Sequence, residues 1–85
     1  MSAVTIYTRP FCGFCAHALG LLKEKGVAFT EVEAGFDPAK RKEMVERSGG
    51  RTTFPQIFVG DNHIGGCDEL VALDSAGKFD ALLRA

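Results

Sequence analysis

The sequence predicts an α/β fold, a four-stranded mixed sheet with helices on both faces. Two observations carry most of that prediction. Along the first 33 residues the apolar spacing switches from alternation to a helical period and back, so two strands bracket a helix and must run parallel. Further on, two short β-rich runs flank Gly60-Asp61-Asn62, whose turn residues suggest an antiparallel hairpin. Parallel and antiparallel pairing together require a mixed sheet, and an amphipathic sheet of this size needs helices to cover it.

The elements follow in order. Val4, Ile6 and Thr8 alternate with Ala3, Thr5 and Tyr7, a first strand that ends at Arg9-Pro10. From Phe14 to Lys25, Cys15, Ala18, Leu19 and Leu22 fall at i, i+3, i+4 and i+7, one apolar helical stripe closed by Gly26. Val27 to Glu33 alternates again as the second strand. Asp37-Pro38 has the chemistry of a helix start, and that helix runs through Arg47 until Ser48-Gly49-Gly50 stops it. Gln56 to Val59 and His63-Ile64 form the hairpin arms. Asp68 then caps a short helix through Ala76, Gly77 ends it, and Phe79, Leu82 and Leu83 make a last amphipathic turn or two. The predicted order is β-α-β-α-β-β-α with an extra helix at the end.

At 85 residues there is room for one domain, residues 1–85, with a thin core. Hydrophobic residues make up 46% and charged residues 25%, which excludes a disordered or fibrous chain. A net charge of −1 without a basic run gives no electrostatic footprint for nucleic acid or an anionic membrane. There is no signal-like h-region and no apolar run of spanning length, so a soluble, cytoplasmic protein is expected. Three cysteines are an odd count, and two lie only three positions apart, a poor framework for disulfide staples. Such a pattern suggests reactive or metal-binding thiols.

Cys12-Gly13-Phe14-Cys15 places the first thiol at the mouth of a helix and the second on its buried stripe. The helix N-terminus offers unpaired N–H groups and the positive end of the dipole, both of which favour a thiolate at Cys12. Arg9 is near enough in sequence to add to that field. Cys15, beside Ala18 and Leu19, is shielded and suits a resolving role. Cys12 then attacks a disulfide, and Cys15 or an incoming thiol releases the mixed disulfide. A structural zinc site would need two more ligands; Cys67, His17 and His63 come without a second C-x-x-C or paired-histidine spacing. His17 and His63 read as surface residues without a function.

Three ordered motifs now make a resemblance. Tyr7-Thr8-Arg9-Pro10-Phe11-Cys12-Gly13-Phe14-Cys15, Thr53-Phe54-Pro55-Gln56 and Gly65-Gly66-Cys67-Asp68 together resemble the glutaredoxin family, nearest its compact bacterial dithiol members. The resemblance covers essentially the whole chain and implies the thioredoxin fold. It also implies a glutathione-disulfide oxidoreductase with glutathione as reductant and co-substrate. Catalysis falls to Cys12 and Cys15. Arg9, Phe14, Arg41, Thr53, Phe54, Pro55, Cys67 and Asp68 match the glutathione-binding positions. Pro55 matches the family's cis-proline, which leaves the Phe54 backbone free to pair with the cysteinyl part of glutathione. Cys67 and Asp68 match a helix start that holds the γ-glutamyl end, Asp68 against its ammonium group. Arg41 resembles the basic residue that approaches the glycine carboxylate, although it lies in a Lys40-Arg41-Lys42 run that is by default a solvated helix face. Cys67 contributes its backbone and a small apolar side chain rather than a second redox centre. Partners are glutathione and disulfide-bearing or glutathionylated proteins, ribonucleotide reductase among the candidates. Neither nucleic acid nor membrane is expected.

Gly13 departs from the redox-dedicated dithiol relatives, which commonly carry proline there. In the family a Gly-Phe dipeptide at this place often accompanies a [2Fe–2S] cluster shared by two subunits. Its ligands are Cys12 of each subunit and two glutathione thiolates. The second expectation is therefore a cluster-binding dimer, against a monomer in the redox form. The monothiol glutaredoxins are also similar, but Cys15 replaces their serine and the Trp-Pro before Thr-Phe-Pro is missing. The absence of tryptophan argues against a thioredoxin-like protein reduced by a flavoenzyme.

Overall fold

A computed structural model describes residues 3–84. Strands β1 (Val4–Thr8), β2 (Phe29–Glu33), β3 (Gln56–Val59) and β4 (Asn62–Gly65) form one sheet in the order β2-β1-β3-β4. The β1–β2 pair is parallel, with α1 (Gly13–Glu24) as its crossover. The β1–β3 and β3–β4 pairs are antiparallel. Helix α2 (Pro38–Arg47) connects β2 to β3, and α3 (Cys67–Ser75) and α4 (Lys78–Arg84) follow the hairpin. The mixed sheet, the element order and the extra terminal helix all agree with the sequence reading.

Strand alternation sorts the core onto two faces. Val4, Ile6, Ile57 and Val59 face α1, α3 and α4, where Ala18, Leu22, Leu70, Phe79 and Leu83 complete the larger cluster. Tyr7 and Phe58 face the other way and meet Met44 of α2, with Ala34, in a much smaller one. Fully burying a leucine, isoleucine or phenylalanine contributes about 1.5–3 kcal/mol, so the first face carries most of the stability. The second is supplemented by polar contacts. Tyr7 donates from its hydroxyl to Glu43 Oε2 at 2.8 Å and accepts from Arg47 Nη1 at 2.8 Å. The Arg47 guanidinium also lies 4.3 Å from the centre of the Phe58 ring.

Before the last two helices, element boundaries differ from the sequence reading in three places. The second strand begins at Phe29 rather than Val27 because α1 ends in a Schellman closure. Gly26, with φ 67°, donates to Lys23 O, and Val27 donates to Leu22 O at 3.1 Å, so the Val27 amide belongs to the helix end. Helix α1 starts at Gly13, one residue early, with Cys12 as its N-cap. The hairpin loop is Gly60-Asp61 alone, since Asn62 already pairs with Val59.

Candidate active site

Cys12 is half-buried and has extended backbone angles, φ −112° and ψ 108°, where the chain leaves β1 and enters α1. Its sulfur accepts the Cys15 N–H at 3.2 Å, in the position a serine or aspartate oxygen takes in an ordinary N-cap. A sulfur anion uses such a donor better than a neutral thiol does. Phe54 O lies 4.0 Å from the same sulfur. Just before it, Phe11 has φ 57° and a ring that is 100% exposed.

Cys15 is only 3% exposed. Burial first, then the adjacent Cys12 sulfur, push its thiol up to about 12, so it is a neutral thiol at physiological pH. The two cysteines of one helical turn are therefore unlike, the first reachable and the second enclosed. Cys67 is also buried, and its thiol is raised by burial and then by the neighbouring Asp68.

Phe14, Thr53, Phe54, Pro55, Cys67 and Asp68 line one groove beside Cys12. One wall is the loop before β3, with a cis Phe54–Pro55 peptide bond. The other is the start of α3. An adjoining pocket shares Thr53 and Phe54 and brings in Arg9 and Arg41, the latter with its guanidinium 6.0 Å from the Phe54 ring centre. Eight of the residues singled out from the sequence thus line two adjoining pockets, and Cys12 joins them through Phe54 O and Cys15 through Cys12, although the β1–α1 loop, α1, α2, the β3 approach and α3 each supply a part. Gly35 allows the loop after β2 to pack behind Arg9, where an added Cβ would come within 2.6 Å of Arg9 Cβ.

Two corrections apply here. Asp68 is not the cap of its helix: α3 begins at Cys67, Gly66 is the N-cap, and Asp68 sits exposed in the first turn. Glu69 ties off the helix start instead, its Oε1 accepting from Gly66 N at 2.9 Å and from Arg51 Nη2 at 3.1 Å. Those donors, Gly66 first, hold the Glu69 carboxyl below the usual carboxylate range. Gly65, with φ 119°, leaves room for that carboxylate where a side chain would collide with it. Nor is His63 a plain surface residue: it is half-buried, with Nε2 2.6 Å from Gln56 Oε1. Arg51 and Glu69, which line the groove, were missed. Glu69 was findable as the N3 acid of α3, three residues after Gly66; Arg51 has no local signal. Among the described residues, no three metal-ligating side chains gather in one place.

A βαβ-ββα sheet with a C-x-x-C pair at the start of its first helix, opposite a cis-proline, defines a thiol oxidoreductase of the thioredoxin fold. Within that class the chain belongs to the glutaredoxin family, whose profile matches residues 4–64. It is 52% identical over 84 residues to Glutaredoxin 3 of Escherichia coli K12, covering 99% of this chain and 100% of that one. The solution structure of a glutaredoxin from Brucella melitensis superposes with a TM-score of 0.84 at 57% identity, covering 98% of this chain and 89% of that one. A buckwheat glutaredoxin–glutathione complex superposes with a TM-score of 0.84 at 25% identity, over 95% of this chain and 76% of that one.

Proposed function

We propose that this protein reduces glutathione mixed disulfides and protein disulfides at the expense of glutathione, with Cys12 as nucleophile and Cys15 as resolving thiol. The observation that carries the reading is the contrast between the two sulfurs. Cys12 is half-buried beside the groove wall at Phe54, with a backbone donor on its sulfur, while Cys15 is enclosed and held neutral. The Cys12 thiolate attacks the glutathione sulfur of a mixed disulfide; a Cys12–glutathione disulfide forms and the substrate leaves as its thiolate, which takes up a proton. A second glutathione thiolate attacks that glutathionyl sulfur, releasing oxidised glutathione and regenerating the Cys12 thiolate. On a protein disulfide, Cys15 gives up its proton and displaces the substrate from Cys12, leaving a Cys12–Cys15 disulfide for glutathione to reduce.

Glutathione suits the groove chemically. Phe54 offers main-chain groups beside Cys12, the start of α3 and Asp68 suit the γ-glutamyl carboxylate and ammonium, and Arg9 and Arg41 suit the glycine carboxylate. The protein substrates, ribonucleotide reductase among them, would work in the cytoplasm. Assayed on a glutathionylated peptide, Cys12→Ser should lose at least about a hundredfold in activity, whereas Cys15→Ser should stay within about threefold because external glutathione replaces it. Equal losses would reject the assignment. Asp68→Ala should raise KM for the same peptide.

A second reading is a glutathione-ligated [2Fe–2S] protein, and Gly13 favours it, since glycine keeps beside Cys12 the backbone N–H and the freedom that the proline of redox-dedicated relatives removes. Of the described thiols only Cys12 is accessible, so one chain would supply one ligand, and a four-thiolate set fits only as a dimer with two glutathiones. Bound there, the cluster would supply iron and sulfide for transfer. Anaerobic reconstitution with iron, sulfide and glutathione should then give a brown dimer on gel filtration; a colourless monomer would reject it.

A further inference from the structure

Gln56 is wholly buried behind the Thr53–Pro55 wall of the groove. Its Nε2 is 3.0 Å from Thr53 O and 3.1 Å from Thr53 Oγ1. A carbonyl oxygen only accepts, so the amide end of the side chain must face Thr53, which turns Oε1 toward His63. His63 Nε2, at 2.6 Å, must therefore carry a proton and donate it to Gln56. The imidazole is held for that task by the sheet. His63 pairs across β3–β4 with Phe58, and the two rings lie 5.0 Å apart at 35°.

The far end of this chain of bonds is the Thr53–Phe54 peptide. In a trans peptide the C=O and N–H point in opposite directions. Anchoring Thr53 O to Gln56 thus turns the Phe54 N–H the other way, while Phe54 O stays 4.0 Å from Cys12 Sγ. We propose that His63 is a positioning residue: acting through Gln56, it fixes the peptide plane at Phe54 against which the cysteinyl backbone of glutathione pairs. This rests on the glutathione reading of the groove. Without the imidazole donor, the buried Gln56 oxygen has no partner, so the carboxamide is anchored at its Nε2 end alone and its hold on Thr53 O loosens.

Three proteins test this: the native chain, His63→Phe, which keeps a ring on Phe58 but no donor, and His63→Gln, which restores an N–H at the same reach. On a glutathionylated peptide, His63→Phe should raise KM about fivefold with kcat within about twofold, and His63→Gln should stay within about twofold in both. By NMR, the Gln56 carboxamide protons should exchange at least about tenfold faster in His63→Phe, with no glutathione present. In the native protein the His63 proton should reside on Nε2. Native KM in His63→Phe, a loss in kcat alone, or a native imidazole protonated only on Nδ1 would each overturn the inference. A native protein inactive on the peptide would overturn the functional reading and this inference with it.

Discussion

Phe11, Cys12 and Cys15 show how far neighbours at one helix start can diverge. Cys15 and Cys67 are buried and their thiols raised, whereas Cys12 is only half-buried. Iodoacetamide at neutral pH should therefore add one group per chain, on Cys12, and Cys12→Ser should take up about a tenth of the label or less until it is unfolded. Peptide mass spectrometry reads both results. Phe11 holds a left-handed backbone that a residue with a Cβ adopts at a cost of about 1 kcal/mol, and its fully exposed ring gains no core contact in return. Phe11→Gly should accordingly raise unfolding stability in urea by about 0.5–1 kcal/mol; a loss of stability would show that the ring is packed in solution.

Among the helices, α2 is the least firmly attached, because Met44 is its one buried side chain. Met44→Ala should cost about 2–4 kcal/mol, with hydrogen exchange accelerated first along α2. Tyr7→Phe removes the hydroxyl shared by Glu43 and Arg47 and should cost about 1–2 kcal/mol. The elements themselves were legible because each buries one face, and a buried face writes its period into the chain: Val4 and Ile6 in β1, Cys15, Ala18 and Leu22 in α1. Their ends were less so, since a Schellman closure absorbs Val27 and a glycine caps α3. The groove is harder still to read. Thr53 and Cys67 meet across the fold with no shared period, and their grouping came from resemblance to a family rather than from spacing. Polar links such as Gln56–His63 and Arg51–Glu69 join residues on different elements and leave no pattern in either segment.

For the whole molecule, stability against pH follows from groups whose ionisation changes on unfolding. Burial, then the Arg51 charge, lower His63, with Glu69 opposing. An unfolded histidine protonates near pH 6.5, so below about that value the unfolded chain binds more protons than the native one, and stability falls as pH falls. Glu69 acts in the same direction at lower pH. Its depressed carboxyl contributes stability that is present above about pH 4.3 and lost as pH drops through its folded value. On the alkaline side the sign reverses. Cys15 keeps its proton in the fold up to about 12, while an unfolded thiol loses it near 8.5, so stability falls as pH rises above about 8.5. Cys67 and Tyr7, both raised chiefly by burial, add to that decline. The urea midpoint should thus be roughly level between about pH 7 and 8 and fall on either side. His63→Phe should flatten the arm just below neutrality and Cys15→Ser the alkaline arm. An alkaline arm just as steep in Cys15→Ser would place the responsible protons on Cys67 and Tyr7 instead.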